Sequence, residues 1–123
     1  MKRSTEYVFY VTPHDFNLAV KGIKTASSRI GDRRRVWPVG HRLALVDNQD
    51  ENRRTSIEIT YNVPMKLCFI TPTQAFNIGG YSTSKHYEDF VSVYADSGPE
   101  TDLSLVGFRV LDDHVNGIYS NEE

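Results

Sequence analysis

The segment Gly22-Ile23-Lys24-Thr25-Ala26-Ser27-Ser28-Arg29 is the most informative stretch of this sequence. A glycine that can end a helix is followed by a lysine, three hydroxyl side chains and an arginine. In an extended conformation Thr25, Ser27 and Arg29 lie on one face, because side chains alternate along a strand. Such a face can bind a phosphate or the edge of a base, with the guanidinium as a forked donor. In the alternative interpretation, Lys24 only complements the negative C-terminal end of the preceding helix.

The residues before this segment predict a strand and then a helix. Glu6–Val11 is rich in aromatic and β-branched residues, which favours a strand. Thr12 is a suitable N-cap and Pro13 suits the first helical position, so we predict a helix over Thr12–Lys21. Asp15 is assigned to the first turn of this helix, where the dipole favours a negative charge.

The residues after the segment predict mainly strands. Gly31–Gly40 is a loop, and the predicted strands are His41–Val46, Thr55–Tyr61, Lys66–Ile70 and Asp102–Leu111. Pro64 indicates a bend, a bulge or a sheet edge, because proline cannot donate to the ladder of hydrogen bonds. The apolar positions of the last strand change parity around Gly107, which indicates a bulge there.

Two further helices are predicted between the third and the last of these strands. Thr71 and Gln74 have the spacing of a capping box, and the helix that they begin ends at Gly79-Gly80. The next helix spans Thr83–Tyr94. Because strands and helices do not alternate as in βαβ units, we predict an α+β fold with a mostly antiparallel sheet or barrel and helices packed on it.

Length and composition fit one folded domain. The chain has 123 residues, of which 39% are hydrophobic and 24% charged, and we predict a single domain over residues 1–111. Residues 112–123 are acidic and are predicted to form a partly disordered tail. The apolar runs are far shorter than a membrane span and no secretory signal is evident, so we expect a soluble, cytoplasmic protein without a membrane partner.

The usage of cysteine and histidine predicts neither a metal nor a cofactor. Cys68, the only cysteine, follows Leu67 and is assigned to the hydrophobic core. A single cysteine excludes an internal disulfide and every multi-cysteine zinc motif. The histidines show no ligand spacing such as i, i+4 on one helix; they are His14, His41, His86 and His114.

The charge is distributed unevenly, although the net charge is only −2. The stretch from Lys21 to Arg42 carries +6 and the rest of the chain −8, and Arg33, Arg34 and Arg35 form its centre. A basic patch on an acidic body is typical of proteins that bind phosphate-bearing partners, but a solvated loop has the same pattern. Trp37 follows the arginines, either to stack on a base or to pack as a core or lid residue.

The segment around Lys24 resembles the signature of the ASCH family, a branch of the PUA-like superfamily, which reads Gly-x-Lys-Thr-x-Ser/Thr-x-Arg. Each defined position is matched, by Gly22, Lys24, Thr25, Ser27 and Arg29. The order of predicted elements extends the similarity over roughly Tyr7 to Leu111. The resemblance implies a PUA-like, mostly antiparallel β-barrel with about three flanking helices, in which the signature lines a cleft for RNA, nucleotides or nucleosides.

Some small proteins that share this signature are amidohydrolases that remove the acetyl group of 4-acetylcytidine. The resemblance assigns Lys24 to activate the hydroxyl of Ser27, with help from a glutamate just before the glycine that ends the second helix. This sequence has Ile78 at that position. A lysine with its ordinary pKa near 10.4 is a poor base at neutral pH and needs burial or neighbouring charge. The acidic residues considered as replacements are Glu58, Glu88 and Asp89.

Three functions are compatible with these features. The first is binding of RNA or a nucleotide in a basic cleft. The residues predicted for it are Lys24, Thr25, Ser27, Arg29, Arg33, Arg34, Arg35 and Trp37. The second is an amidohydrolase for 4-acetylcytidine, or a related ribonuclease, with Lys24 and Ser27 as the catalytic pair. The third is a protein-interaction module in which the three arginines meet an acidic protein surface.

Overall fold

The computed structural model describes residues 8–94 and 96–111, which form one curled, half-barrel sheet and the helices that flank it. The strands are β1 (Val8–Val11), β2 (Ala26–Ile30), β3 (Arg42–Asp47), β4 (Asp50–Lys66) and β5 (Asp102–Val110). The helices are α1 (Pro13–Val20), α2 (Pro72–Gly79) and α3 (Thr83–Val93). The predicted α+β, PUA-like fold is confirmed. Predictions for Glu6, Tyr7 and residues 112–123 lie outside the described residues.

The sheet has the strand order β1-β3-β4-β5-β2. β1 pairs with β3 in parallel, and the other neighbours are antiparallel, so the predicted mostly antiparallel arrangement is correct. β1 and β2 are therefore the outer strands. The curl of the sheet brings these two edges towards each other, which creates the opening described below.

The local signals that begin and end the helices are confirmed. The Thr12 side chain accepts a hydrogen bond from the Asp15 peptide and caps α1. Thr71 and Gln74 form both bonds of the capping box at the start of α2, which ends at a left-handed Gly80. Ser82 caps α3 in the same way, because its hydroxyl accepts from the Lys85 peptide. No helix within the described residues is long and apolar enough to cross a membrane.

The predicted bulge at Gly107 is wrong for β5, because both faces of this strand are buried. Leu103 and Leu105 pack in one core cluster, while Val106 and Phe108 pack in the other, so the strand alternates regularly. The irregularity lies in the partner strand, where Thr60 is the extra residue of β4. Gly107 is needed for another reason: a Cβ there would lie 2.1 Å from the ring of Tyr61.

The predicted strand Lys66–Ile70 and the buried Cys68 are also wrong. β4 runs without interruption through Pro64 to Lys66, and a short 3-10 turn follows at Leu67–Phe69. Pro64 is tolerated because this end of β4 pairs with β5 and has passed the end of β3, so it lies at an edge. The turn buries Leu67 and leaves the thiol of Cys68 exposed, since consecutive residues of a turn face different directions.

Candidate ligand-binding cleft

A cleft of about 360 Å³ opens between the edge strands β1 and β2, beside the start of α1 and along α3. The signature residues Lys24, Ser27 and Arg29 line it. Thr25 does not line it; its peptide N–H donates to the carbonyl of Asn77 and its own carbonyl accepts from Phe108. The conformation of the signature therefore brings three of its four predicted ligand-binding residues together.

Lys24 is the most unusual residue of the cleft, because its ammonium group is buried. The side chain is only 2% exposed, and Nζ donates to the carbonyl oxygens of Ala26 at 2.7 Å and Ile78 at 2.6 Å. Burial lowers the pKa of Lys24 to about 7, an effect that the negative charge of Asp15 opposes and the positive charge of Arg29 reinforces. Burial therefore favours the neutral amine of Lys24.

Asp15 supplies the carboxylate that the sequence analysis did not find. Its Oδ2 lies 4.0 Å from Nζ of Lys24, within ion-pair distance. Ile78, at the expected glutamate position, contributes only its backbone carbonyl, and Glu58 pairs with Arg109. The first-turn position of Asp15 gave a sufficient local reason for an acidic residue, so the sequence offered no further signal of its contact with Lys24.

Arg29 connects the two edges of the sheet. One guanidinium nitrogen donates to the carbonyl of Tyr10 on β1 at 2.7 Å, and the other donates to the carbonyl of Ser28 at 3.2 Å. The guanidinium carbon lies 4.3 Å from the centre of the Phe9 ring. Burial lowers the pKa of Arg29, yet an arginine stays charged. The residue that was predicted to bind a ligand therefore also fixes the floor of the cleft.

Ser27 and Ser28 lie on opposite faces of β2. Ser27 pairs with Val106, shares its face with Arg29 and is 2% exposed. Ser28 is 8% exposed, and its hydroxyl shares a hydrogen bond of 3.0 Å with Nε2 of His86 on α3. The sequence pattern indicates only that His86 is not a metal ligand. Its i, i+4 spacing to the buried Phe90 was the available signal that it faces the sheet.

The arginine loop, which we define as Arg33, Arg34 and Arg35, lies outside the cleft. Arg33 donates to the carbonyl of Ile30, and Arg34 forms an ion pair of 2.6 Å with Asp32. Arg34 and Arg35 line a separate cavity with Asp32. A role for this loop in nucleic-acid binding stays a prediction. None of its three arginines lines the cleft, although the charge of Arg33 helps to lower the pKa of Arg29.

Trp37 packs on the hydrophobic core. Its ring centre lies 4.6 Å from that of the buried Phe9, and its carbonyl accepts a hydrogen bond from Asn62. This position agrees with the interpretation of Trp37 as a core or lid residue. Trp37 does not line the cleft. Within residues 8–94 and 96–111, no group of three or more histidine, cysteine or acidic side chains could hold a metal ion.

The architecture is that of a small PUA-like domain with a cleft at the opening of its half-barrel. No family model matches the chain, and no curated protein is significantly similar to it in sequence. Solved structures share its fold. A DUF984 protein from Enterococcus faecalis V583 is 17% identical with a TM-score of 0.70, over 100% of this chain and 85% of the other.

Two ASCH structures give the same result. The ASCH domain from Lactobacillus crispatus JV V101 is 16% identical, with a TM-score of 0.64 over 84% of this chain and 79% of that one. ASCH from Zymomonas mobilis is 14% identical, with a TM-score of 0.59 over 88% of this chain and 68% of that one. The chain therefore has the ASCH fold, and the resemblance inferred from the signature is confirmed at the level of the fold.

Proposed function

We propose that this protein binds a single nucleoside or nucleotide in the cleft between β1 and β2. The observation that carries the proposal is the lining of this cleft, which combines aromatic rings with buried cationic groups. Tyr10, Tyr81 and Tyr94 offer ring surfaces for a base, and Lys24 and Arg29 offer positive charge for a phosphate or a carbonyl. A volume of about 360 Å³ lies in the range of small-molecule sites.

The separation of the arginine loop from the cleft favours a small ligand over a long RNA strand. A surface that binds single-stranded RNA needs a continuous row of cations along the phosphate backbone of the RNA. Here Arg34 is held by Asp32, and Arg34 and Arg35 line a different cavity. A single nucleotide can use every signature residue that lines the cleft without reaching that loop.

Calorimetric titration of the wild type with cytidine, with its 5′-monophosphate and with a short single-stranded RNA tests the proposal. We expect the monophosphate to bind and the RNA to bind no more tightly per site. Tight RNA binding whose affinity falls steeply with salt would instead support the arginine loop as the nucleic-acid surface. No heat with any of the three ligands would contradict both forms of nucleic-acid recognition.

A second candidate function is hydrolysis of the amide of 4-acetylcytidine, and the contact of Asp15 with Lys24 favours it. A lysine whose pKa is about 7 provides a neutral amine at physiological pH, as a general base requires. Asp15 is placed to assist Lys24 as the glutamate of the amidohydrolases is thought to do, although it reaches Lys24 from α1. In this candidate mechanism Lys24 activates the hydroxyl of Ser27, in line with the signature.

Release of cytidine from 4-acetylcytidine measures this activity directly. We expect Lys24→Ala to abolish turnover and Asp15→Asn to lower it by about 10- to 100-fold, because a positioned charge is lost. Asp32→Asn, which removes an exposed carboxylate outside the cleft, is the matched control and should leave the rate unchanged. Turnover that survives Lys24→Ala would exclude the mechanism, and degradation of RNA in the same assay would indicate the ribonuclease alternative.

A further inference from the structure

The cleft contains a second pair of side chains with the geometry of a nucleophile and its base. Ser28 on β2 and His86 on α3 are both buried, both line the cleft, and share a hydrogen bond of 3.0 Å between Oγ and Nε2. Ser28 points to the face of β2 opposite to Ser27, and His86 contacts it from that side. The signature assigns a role to Ser27 and none to Ser28, so this pair is not part of the chemistry described above.

The surroundings of His86 favour its neutral imidazole, which is the form that a base requires. Burial lowers its pKa below the ordinary 6.5, the positive charge of Lys24 lowers it further, and Asp89 on the same helix partly opposes both. Nδ1 is buried without a hydrogen-bond partner among the described residues. When the ring proton is on Nδ1, the lone pair of Nε2 is directed at the Ser28 hydroxyl and can accept its proton.

We propose that Ser28 is an acyl-accepting nucleophile of this cleft and that His86 is its base, acting on amide or ester ligands. The proposal rests on the cleft being a ligand site. In the first step, Ser28 Oγ bonds to the carbonyl carbon while its proton moves to His86 Nε2. The C–N or C–O bond then breaks, and the imidazolium returns the proton to the leaving amine or alcohol. Water attacks the acyl-serine, gives one proton to Nε2, and Ser28 recovers it when the carboxylic acid leaves.

Two observations favour Ser28 over the neighbouring Ser27 as the nucleophile. Ser28 has its base within hydrogen-bond distance in the folded chain, whereas the nearby amine of Lys24 donates to two backbone carbonyls. Ser28 is also the more exposed of the two residues, at 8% against 2% for Ser27. The alternative is that the Ser28–His86 bond only satisfies two buried polar groups, and the experiment below separates the two possibilities.

Acetylation by p-nitrophenyl acetate, followed by mass spectrometry of the peptides, tests the proposal without assuming the natural ligand. We expect a burst of p-nitrophenolate and an acetyl group on Ser28. Ser28→Ala and His86→Gln should each slow the burst by about 10²- to 10⁴-fold, the usual effect of losing a nucleophile or its base. Ser84→Ala, which removes an exposed hydroxyl of α3 outside the cleft, is the matched control and should retain the burst. An acetyl group on Ser27 or Lys24, or an unchanged burst in Ser28→Ala, would overturn the proposal.

A cysteine variant keeps the test informative where alanine impairs folding. The double variant Cys68→Ser, Ser28→Cys removes the exposed native thiol and places a thiol beside His86. We expect iodoacetamide to modify residue 28 at pH 7 at least about tenfold faster than a free cysteine, and His86→Gln to remove this advantage. A rate equal to that of a free cysteine overturns the proposal. Titration of the same proteins with cytidine 5′-monophosphate distinguishes failure of this proposal from failure of the proposed nucleotide binding. It reports on ligand binding whether or not Ser28 is acylated.

Discussion

The signature segment Lys24–Arg29 and the arginine loop carry similar positive charge, yet they have opposite environments. Lys24 is buried, and burial lowers its pKa to about 7. Arg34 is exposed and forms an ion pair with Asp32. The hydrogen bond from the Arg34 side chain lowers the pKa of Asp32 to about 2. Burial thus lowers the pKa of the lysine in the first segment, whereas the exposed arginine of the second segment stays charged and pairs with a carboxylate. The difference shows that burial, and not the number of cations, decides how far the pKa of a basic group is shifted.

The topology explains the difference. Lys24 lies in the connection between α1 and the edge strand β2. Its amine is enclosed by two packed elements, because it donates to the carbonyls of Ala26 on β2 and Ile78 on α2. The arginine loop follows β2 and connects it to β3, and β4 and β5 lie between these two strands in the sheet. A connection of this kind runs over the surface, where water screens its charges.

The largest expected effect is a contrast in ligand binding between the two segments. Lys24→Met should weaken the binding of cytidine 5′-monophosphate by about 10- to 100-fold, because a buried charge-assisted hydrogen bond is lost. Arg35→Ala, in the arginine loop, should change the dissociation constant by less than about twofold. Calorimetric titration of both variants measures the contrast. Equal losses would show that the cleft and the loop act as one surface, contrary to the geometry.

The pH dependence of stability gives the second contrast. Because the pKa of Lys24 is lower in the folded chain than the ordinary 10.5, the unfolded chain binds more protons between pH 7 and 10.5. This group therefore destabilises the fold below about pH 7, and the penalty is relieved as pH rises. We expect the free energy of unfolding of the wild type to gain roughly 2 kcal/mol from pH 7 to 9 relative to Lys24→Met, measured by urea denaturation. A parallel pH dependence in both proteins would show that Lys24 keeps its ordinary pKa.

Much of the fold could be predicted because its signals are local. The caps at Thr12 and Thr71 and the glycines at the end of α2 act through neighbouring residues, so these helices were placed correctly. The errors arose where tertiary context decides. Two-sided burial of β5 looked like a change in parity at Gly107, and the long strand β4 continues through Pro64 because, among the described residues, no strand pairs with that edge.

Only those residues of the candidate site that lie in one continuous segment of the sequence could be predicted. Lys24, Ser27 and Arg29 come from the signature and line the cleft as predicted. Asp15 and His86 reach the same place from two helices, and neither the spacing nor the composition indicates contacts over such separations. Asp15 also had a complete local explanation as a first-turn residue, which concealed its proximity to Lys24.

The third prediction concerns the structural role of Arg29 within the signature. Arg29→Lys keeps the charge but cannot donate to the carbonyls of both Tyr10 and Ser28 in the same geometry. We expect a loss of about 1 kcal/mol in the free energy of unfolding, because the bond between the two sheet edges is partly exposed. Arg42→Lys, at an exposed position that begins β3, is the matched control. Equal stability of the two variants would show that Arg29 serves the ligand alone.

The smallest expected effect concerns Asp32 and Arg34. Their ion pair is exposed on both sides, so the pair exchanges solvent contacts for protein contacts with little net gain. Arg34→Ala should leave the affinity for cytidine 5′-monophosphate unchanged. The pKa of Asp32, followed by NMR of its carboxyl carbon, should rise from about 2 towards the ordinary 3.8, because the hydrogen bond that favours the carboxylate is gone. An altered affinity in this variant would connect the loop to the cleft, whereas a shifted pKa with unchanged affinity shows that the charge of Arg34 serves only its own neighbour.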